Sequence, residues 1–428
     1  MTARRLMPWA IVALCIVVWA VPLQLVPFYD QGGITDIPTY RAAYEQISDG
    51  QVPYADFSLE YPPLAAGLFW LAGILPGQYE VGFSVLMCAC LIATALGVLA
   101  LARTLGLDQR RQLLASGAVA ISPLLLGDLV ETRFDLALAA LVTWTLWAAA
   151  AGRFRLAWGL LAAAMLLKLV PLALVPALLI WQRHRASVRA AWGGLAACLL
   201  IVAVVVAPFA VASPSGTWDL VQYHLDRPLQ IESTGGAYLL GLHALADIPI
   251  TIENSFGSQG LEGTGPAVIA AISTAVLIVL LIAVAWSFWV GLHRARPPGD
   301  ARLFVAASAS TMIALLVCGK VLSPQFMVWL LPVGFLVAGR FGPAAAIVTA
   351  GAMLLTFAYF PHSYWDLVAL HDGPIAILVL RDSLLIALLA CAWPRPSIAG
   401  RPLGRVLGRE RTEPPRAESA VSARYLID

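Results

Sequence analysis

The chain has 428 residues, 60% of them hydrophobic and only 12% charged, with a formal net charge of +2. That balance lies far outside the range of soluble domains, excludes a water-soluble enzyme and defines a polytopic membrane protein, all-α and built as a helical bundle. All six cysteines (Cys15, Cys88, Cys90, Cys198, Cys318 and Cys391) lie inside apolar runs without metal-ligand spacing, so neither a disulfide framework nor a zinc site is expected.

In chain order, Arg4 and Arg5 precede the first apolar run, Met7 to Pro27. No small-residue cleavage site follows it, so it reads as an uncleaved first helix rather than a signal peptide. Later runs of bilayer-crossing length raise the expected total to about twelve spans: 7–27, 80–102, 112–127, 134–151, 156–167, 169–182, 190–212, 267–292, 302–318, 324–339, 341–360 and 374–393. The shortest pair, broken near Lys168 and Pro171, also fits one kinked element, since proline removes a backbone donor.

Arginines set the direction. They crowd the N-terminus and the loops holding Arg103, Arg110 and Arg111, Arg153 and Arg155, Arg183, Arg185 and Arg189, Arg294 and Arg296, and Arg340. The positive-inside rule makes these cytoplasmic and leaves 28–79, 128–133, 213–266 and 361–373 outside, with both termini inside and 156–182 a hairpin. Residues 1–394 then form the transmembrane domain. The tail 395–428, with seven arginines and several prolines and glycines, is expected to be disordered, basic and cytoplasmic, near anionic headgroups. No internal repeat, glycine-rich phosphate loop or nucleic-acid signature is visible. The inner loops are short and merely basic, so function should face outward.

The first outer segment carries the densest polar chemistry. Asp30, Asp36, Glu45, Asp49, Asp56 and Glu60 stand in or beside 35–64 against the single Arg41. Asp36 opens a short periodic run with Tyr40 and Tyr44 four residues apart, the pattern of a juxtamembrane helix. Two roles stay open for it: a helix N-cap, or a general base that accepts the proton of an attacking sugar hydroxyl. Glu60-Tyr61-Pro62-Pro63 then opens an apolar helix too short to span comfortably. Prolines are ordinary in a first turn, but a carboxylate at that mouth suits substrate hydroxyls or a cation.

Only two of the 27 basic side chains are lysines, Lys168 and Lys320, and both lie in apolar sequence at the outer ends of expected spans. A charge inside a bilayer costs about 2.5–3.5 kcal/mol on insertion scales, so each is a functional candidate beside the alternatives of snorkelling or ion pairing. Arg381-Asp382 interrupts the last span, and each is expected to find its partner on another helix. Glu131, Arg133 and Asp135 put three charges at one membrane mouth, and 223–233 packs His224, Asp226, Arg227, Gln230 and Glu232 among apolar residues. Guanidinium is the preferred clamp for phosphate oxygens, which favours Arg227. His362 and Trp365 fit interface anchors.

With these residues assembled, the chain resembles the GT-C class of membrane glycosyltransferases and, within it, glycosyltransferase family 87, the polyprenyl-phosphate-mannose-dependent α-mannosyltransferases common in actinobacteria. The matching pieces are Asp36 with Tyr40, PYADFSLEYPPL at 53–64, Arg133-Phe134-Asp135, Lys168-Leu169-Val170-Pro171, Arg227 to Ser233, and Gly319-Lys320-Val321-Leu322-Ser323-Pro324-Gln325. The resemblance implies a helical bundle with short outer helices, an outward cavity, a lipid-linked sugar donor and Asp36 as catalytic base. Its implied substrate contacts are Tyr40, Glu60, Tyr61, Arg133, Asp135, Lys168, His224, Arg227, Gln230, Glu232, Lys320 and Gln325, with the cations stabilising the departing phosphate. It implies transfer of a hexose, mannose first, to a glycolipid or glycan hydroxyl at the outer face of the cell membrane with inversion, using no obligatory metal or other cofactor. The rival class is a transporter or flippase for a lipid-linked or small polar substrate, which should place polar groups near the bilayer midplane and often repeats its halves.

Overall fold

A computed structural model describes residues 3–29, 34–295 and 297–395, so the expected tail beyond Arg395 lies outside the described residues. Among the described residues, seven helices are long and apolar enough to cross a membrane: Arg5–Leu23, Tyr79–Thr104, Val188–Ala212, Thr264–Leu292, Gly299–Cys318, Gly342–Tyr359 and Asp372–Ala392. Pro63–Gly73, Asp135–Ala150 and Phe154–Leu167 are shorter apolar helices. The chain is an all-α polytopic membrane protein, as its composition predicts.

Several expected spans take another form. The run 112–127 divides into helices Gln109–Ala120 and Pro123–Leu126. The helix Phe154–Leu167 stops at Lys168, whose backbone is extended, and a 3-10 turn Val170–Leu174 leads into Val175–Arg185, which places the break where Pro171 stands. The run 324–339 is not a membrane-length helix; a 3-10 helix Pro324–Leu330 gives way to turns. Pro332 and Gly334 oppose helix continuation there, and Met327, Val328, Leu330, Leu331 and Val333 are fully buried, so this run is oily because it is core.

Two kinds of all-apolar helix coexist. Gly299–Cys318 is buried nearly all round, whereas Val188–Ala212 and Thr264–Leu292 turn most of their surface outward, including Leu200, Val204, Ile278, Ile282 and Trp286. Helices apolar on every face belong either to a core or to lipid, and these show both cases. Hydroxyls inside the bundle are satisfied locally: Thr143 and Thr349 donate to the carbonyls of Ala139 and Ala345 at 2.6 and 2.7 Å. Gly97 permits the close approach of Tyr79–Thr104 to Asp135–Ala150, since a Cβ there would lie 2.7 Å from Thr143 Cγ2.

The two long polar segments are structured. The first contains helices Ile37–Ser48 and Pro63–Gly73. The second contains helices Pro214–Asp226 and Thr234–Ala246 and three short strands, β1 (Leu229–Gln230), β2 (Thr251–Ser255) and β3 (Ser258–Glu262). The strands form an antiparallel sheet in the order β1-β3-β2, with Leu229 opposite Leu261 and Ser255 opposite Ser258. Phe256 and Gly257, at φ 51° and 65°, make the two-residue turn between β2 and β3. The amide of Gln230 donates to the Lys320 carbonyl at 2.9 Å, tying this sheet to the segment after Gly299–Cys318.

Candidate active site

Asp36 occupies the N-cap position of Ile37–Ser48, yet its carboxylate makes no capping bond. It turns inward instead. Its Oδ2 accepts the Tyr40 hydroxyl at 3.1 Å and lies 2.9 Å from Arg133 Nε. The capping role considered from sequence is therefore not the one its side chain plays. Arg133 is itself buried, and its terminal nitrogens donate to the carbonyls of Ile34 and Thr132 at 3.1 and 3.2 Å. Tyr40 is held by stacking on Phe69 and Phe83, with ring centroids 4.4 and 5.4 Å away. Burial raises the Asp36 carboxyl above its ordinary value, against the lowering influence of Arg133 and Tyr40. The charge of Glu60 adds to the rise and that of Lys168 opposes it, so all four charges share one neighbourhood.

Lys168 is fixed by the break that ends its helix. Its Nζ sits 2.8 Å from Asp135 Oδ1, which also accepts the indole N–H of Trp329 at 2.5 Å. The rings of Phe134, Phe326 and Trp329 surround the ammonium at 5.0, 5.1 and 5.1 Å. Asp135 is fully buried, so it acts as counter-ion to Lys168 and presents no surface to a sugar hydroxyl. Phe326 and Trp329 escaped sequence reasoning because their run reads as a membrane span. Gln325 is half-buried beside Phe326, and Tyr61 packs edge-on to Phe134 at 4.9 Å.

The second polar segment closes on this centre. Arg227 donates to Ser258 Oγ at 2.8 Å and lies over the Tyr223 ring at 5.7 Å. Glu60 reaches Tyr223 and His224, whose ionisation it biases together with Arg227. Burial and the Arg227 charge both lower the His224 pKa, which leaves a neutral imidazole at pH 7 and removes it from the cations expected to hold a phosphate. Lys320 donates to the Leu225 carbonyl at 2.5 Å, and burial lowers its pKa. Arg227 influences Lys320 and Glu232 as well as His224, so it is the electrostatic link across this segment.

Gln230 and Glu232 are framework. Gln230 Oε1 accepts the Leu322 amide at 3.0 Å and its Nε2 donates to Glu232 Oε2 at 2.8 Å. Glu232 is fully buried, accepts the Tyr359 hydroxyl at 2.8 Å, and is pushed by burial up to about 7. Arg381 donates to the Glu232 carbonyl at 2.6 Å. Arg381 thus finds the expected partners on other elements, Glu232 and the Tyr359 hydroxyl, but Asp382 pairs within its own helix: Arg381 Nε lies 2.7 Å from Asp382 Oδ1, because the long guanidinium arm folds back. Facing rules for adjacent helical positions hold for Cβ directions and fail for an arm this long.

Between the two segments lies a cavity of about 770 Å³, whose lining includes Tyr54, Glu60, Tyr61, Asp219, Tyr223 and Phe256. Asp219, Gln222, Tyr223 and Asp226 all line it, spaced as one face of Pro214–Asp226. That spacing was available in the sequence, where this stretch read only as loop. The fold and this cleft define a membrane protein with a charged, aromatic-lined site at one end of its bundle. The model of glycosyltransferase family 87 matches residues 59–324, more than half the chain, and the protein belongs to that family of membrane glycosyltransferases. No curated protein matches the chain. Glu60, Arg133, Asp135, Lys168, Arg227 and Lys320 fall inside the matched residues, whereas Asp36, Tyr40 and Gln325 fall outside them.

Proposed function

We propose that residues 1–394 transfer mannose from a polyprenyl-phosphate-linked donor to a hydroxyl of a glycolipid or glycan acceptor at the outer face of the cell membrane, with inversion. The observation that supports this most is the grouping of Asp36 with Glu60, Arg133 and Lys168, beside a second segment bearing Arg227. Asp36 takes the proton of the acceptor hydroxyl as its oxygen bonds to the anomeric carbon. The bond from that carbon to the lipid phosphate breaks, and the electron pair leaves with the phosphate. Lys168, Arg227 and Lys320 supply positive charge to it. Arg133, committed to Asp36, orients the base, and Glu60 and Tyr61 face the acceptor side. A single displacement inverts the anomeric centre.

Purified protein is incubated with polyprenyl-phosphate-mannose and short mannoside or glycolipid acceptors, and wild type is compared with Asp36→Asn. Loss of the base should cost roughly a hundredfold or more in turnover. Undiminished turnover in the variant removes Asp36 from the mechanism. Absence of transfer from every lipid-linked sugar, together with saturable uptake into vesicles, would replace this reading with transport.

A further inference from the structure

Among the described residues, four non-glycine positions have positive φ: Tyr54 (67°), Asp247 (50°), Phe256 (51°) and Leu370 (63°). Two of them, Tyr54 and Phe256, are aromatic and line the same 770 Å³ cavity. A bulky residue in left-handed backbone is strained, and such strain persists where the surroundings hold it for another purpose. Phe256 sits at the first position of a two-residue hairpin turn followed by Gly257, where asparagine is the favoured occupant. Its ring instead meets Tyr223, centroids 5.4 Å apart, and the Tyr223 hydroxyl donates to the Phe256 carbonyl at 2.6 Å.

The facing wall is equally fixed. The Tyr54 hydroxyl donates to the Tyr61 carbonyl at 2.5 Å, and its ring packs edge-on to Phe209 at 5.4 Å. Gly216 brings Pro214–Asp226 against that wall so closely that a Cβ would lie 1.9 Å from the Tyr54 carbonyl oxygen. The cavity is therefore held open between braced walls, and its volume lies in the upper part of the range for small-molecule sites. Tyr61, Tyr223, Phe57 and Phe256 offer ring surface, while Asp56, Glu60, Asp219 and Asp226 offer hydroxyl acceptors; among the described residues no lysine or arginine lines it. Aromatic faces with carboxylates suit a chain of sugar rings, and the four lining carboxylates outnumber the cations beside them, Arg227 over the Tyr223 ring and Lys320 near Asp226, so they disfavour anions.

We propose that this cavity receives a neutral stretch of several sugar units from the acceptor, and that its carboxylates exclude acidic glycans. The proposal rests on the glycosyl-transfer reading for its role, but the binding it asserts is measurable without any donor.

Neutral gluco-, manno- and galacto-configured tetrasaccharides and an oligogalacturonate of equal length are titrated onto the purified protein at about 150 mM salt by calorimetry. At least one neutral tetrasaccharide should bind saturably, with the uronate about tenfold weaker or worse. That gap should narrow in the triple variant Asp56→Asn, Asp219→Asn, Asp226→Asn. Equal affinity for the uronate, or a gap the triple variant leaves unchanged, overturns the charge rule. Phe256→Asn removes the ring while suiting the turn, so it should keep or raise the thermal midpoint and weaken binding about tenfold. Wild-type affinity in that variant overturns the site. No tetrasaccharide binding alongside active transfer defeats this proposal and leaves the transferase reading intact. Saturable binding without transfer from any lipid-linked sugar does the reverse.

Discussion

Arg133 Nε lies 2.9 Å from Asp36 Oδ2, an ion pair that joins the first polar segment to the bundle. The pairing crosses 97 positions of sequence, and it sets both the direction and the basicity of the carboxylate. Its consequence is testable through pH. In its proposed role as base Asp36 must be ionised, so kcat/KM should rise with pH through an Asp36 pKa raised above the ordinary carboxyl value. Arg133 lowers that pKa, so Arg133→Gln should move the acid limb of the kcat/KM profile upward by about one pH unit or more, with partial recovery at alkaline pH. Tyr40→Phe should move it the same way by less. An unmoved limb in both variants separates Asp36 from the observed ionisation.

Lys168 and Asp135 form a buried pair, and removing one member leaves the other uncompensated. Asp135→Leu alone should destabilise the protein by about 3–5 kcal/mol. Asp135→Leu with Lys168→Met should recover much of that stability, read as the thermal midpoint in micelles, while transfer stays abolished. Recovery of activity with stability would show that the ammonium serves the fold alone.

Glu232 supplies a stability signature. Its carboxyl is raised from 4.5 to about 7, so the unfolded chain loses its proton first as pH climbs. Stability conferred by the neutral form is complete below about 4.5 and is lost as pH rises to about 7, an effect of roughly 3 kcal/mol. Glu232→Gln should flatten this part of the pH dependence when thermal midpoints at pH 5 and pH 8 are compared. A slope equal to wild type assigns it to another group.

Gly216→Ala inserts a Cβ at a separation of 1.9 Å from the Tyr54 carbonyl oxygen, which forces Pro214–Asp226 away from the first segment. Acceptor KM should rise several-fold with kcat less affected, because the Asp36–Arg133 pairing is built from other elements. A kcat loss at unchanged KM contradicts that division.

Composition and hydropathy were enough for the membrane class, because apolar content is additive along a chain and needs no knowledge of contacts. The helix opened by Asp36 and the break at Lys168 were legible too, since side-chain periodicity and proline act locally. Partners were not. Asp36 with Arg133 and Lys168 with Trp329 are pairings that only the packed bundle creates. The run 324–339 misleads for a related reason: a buried turn and a lipid-facing helix are equally oily, and hydropathy does not distinguish protein core from bilayer. Gln230 and Glu232 illustrate the opposite error, in which polar residues that stand out in sequence turn out to satisfy one another.

The helices Val188–Ala212 and Thr264–Leu292 pack one face against the bundle and turn the rest of their surface outward. Pro214–Asp226 follows the first of them after Ser213, and the β2–β3 hairpin leads into the second through Gly263, so two sides of the cavity hang from lipid-exposed supports. Helices with a broad lipid-facing side adjust their tilt to hydrocarbon thickness as far as their protein contacts allow. Thinner or thicker membranes should therefore change the spacing of the cavity walls and leave the Asp36–Arg133 pairing, which joins the first segment to the packed bundle, where it is.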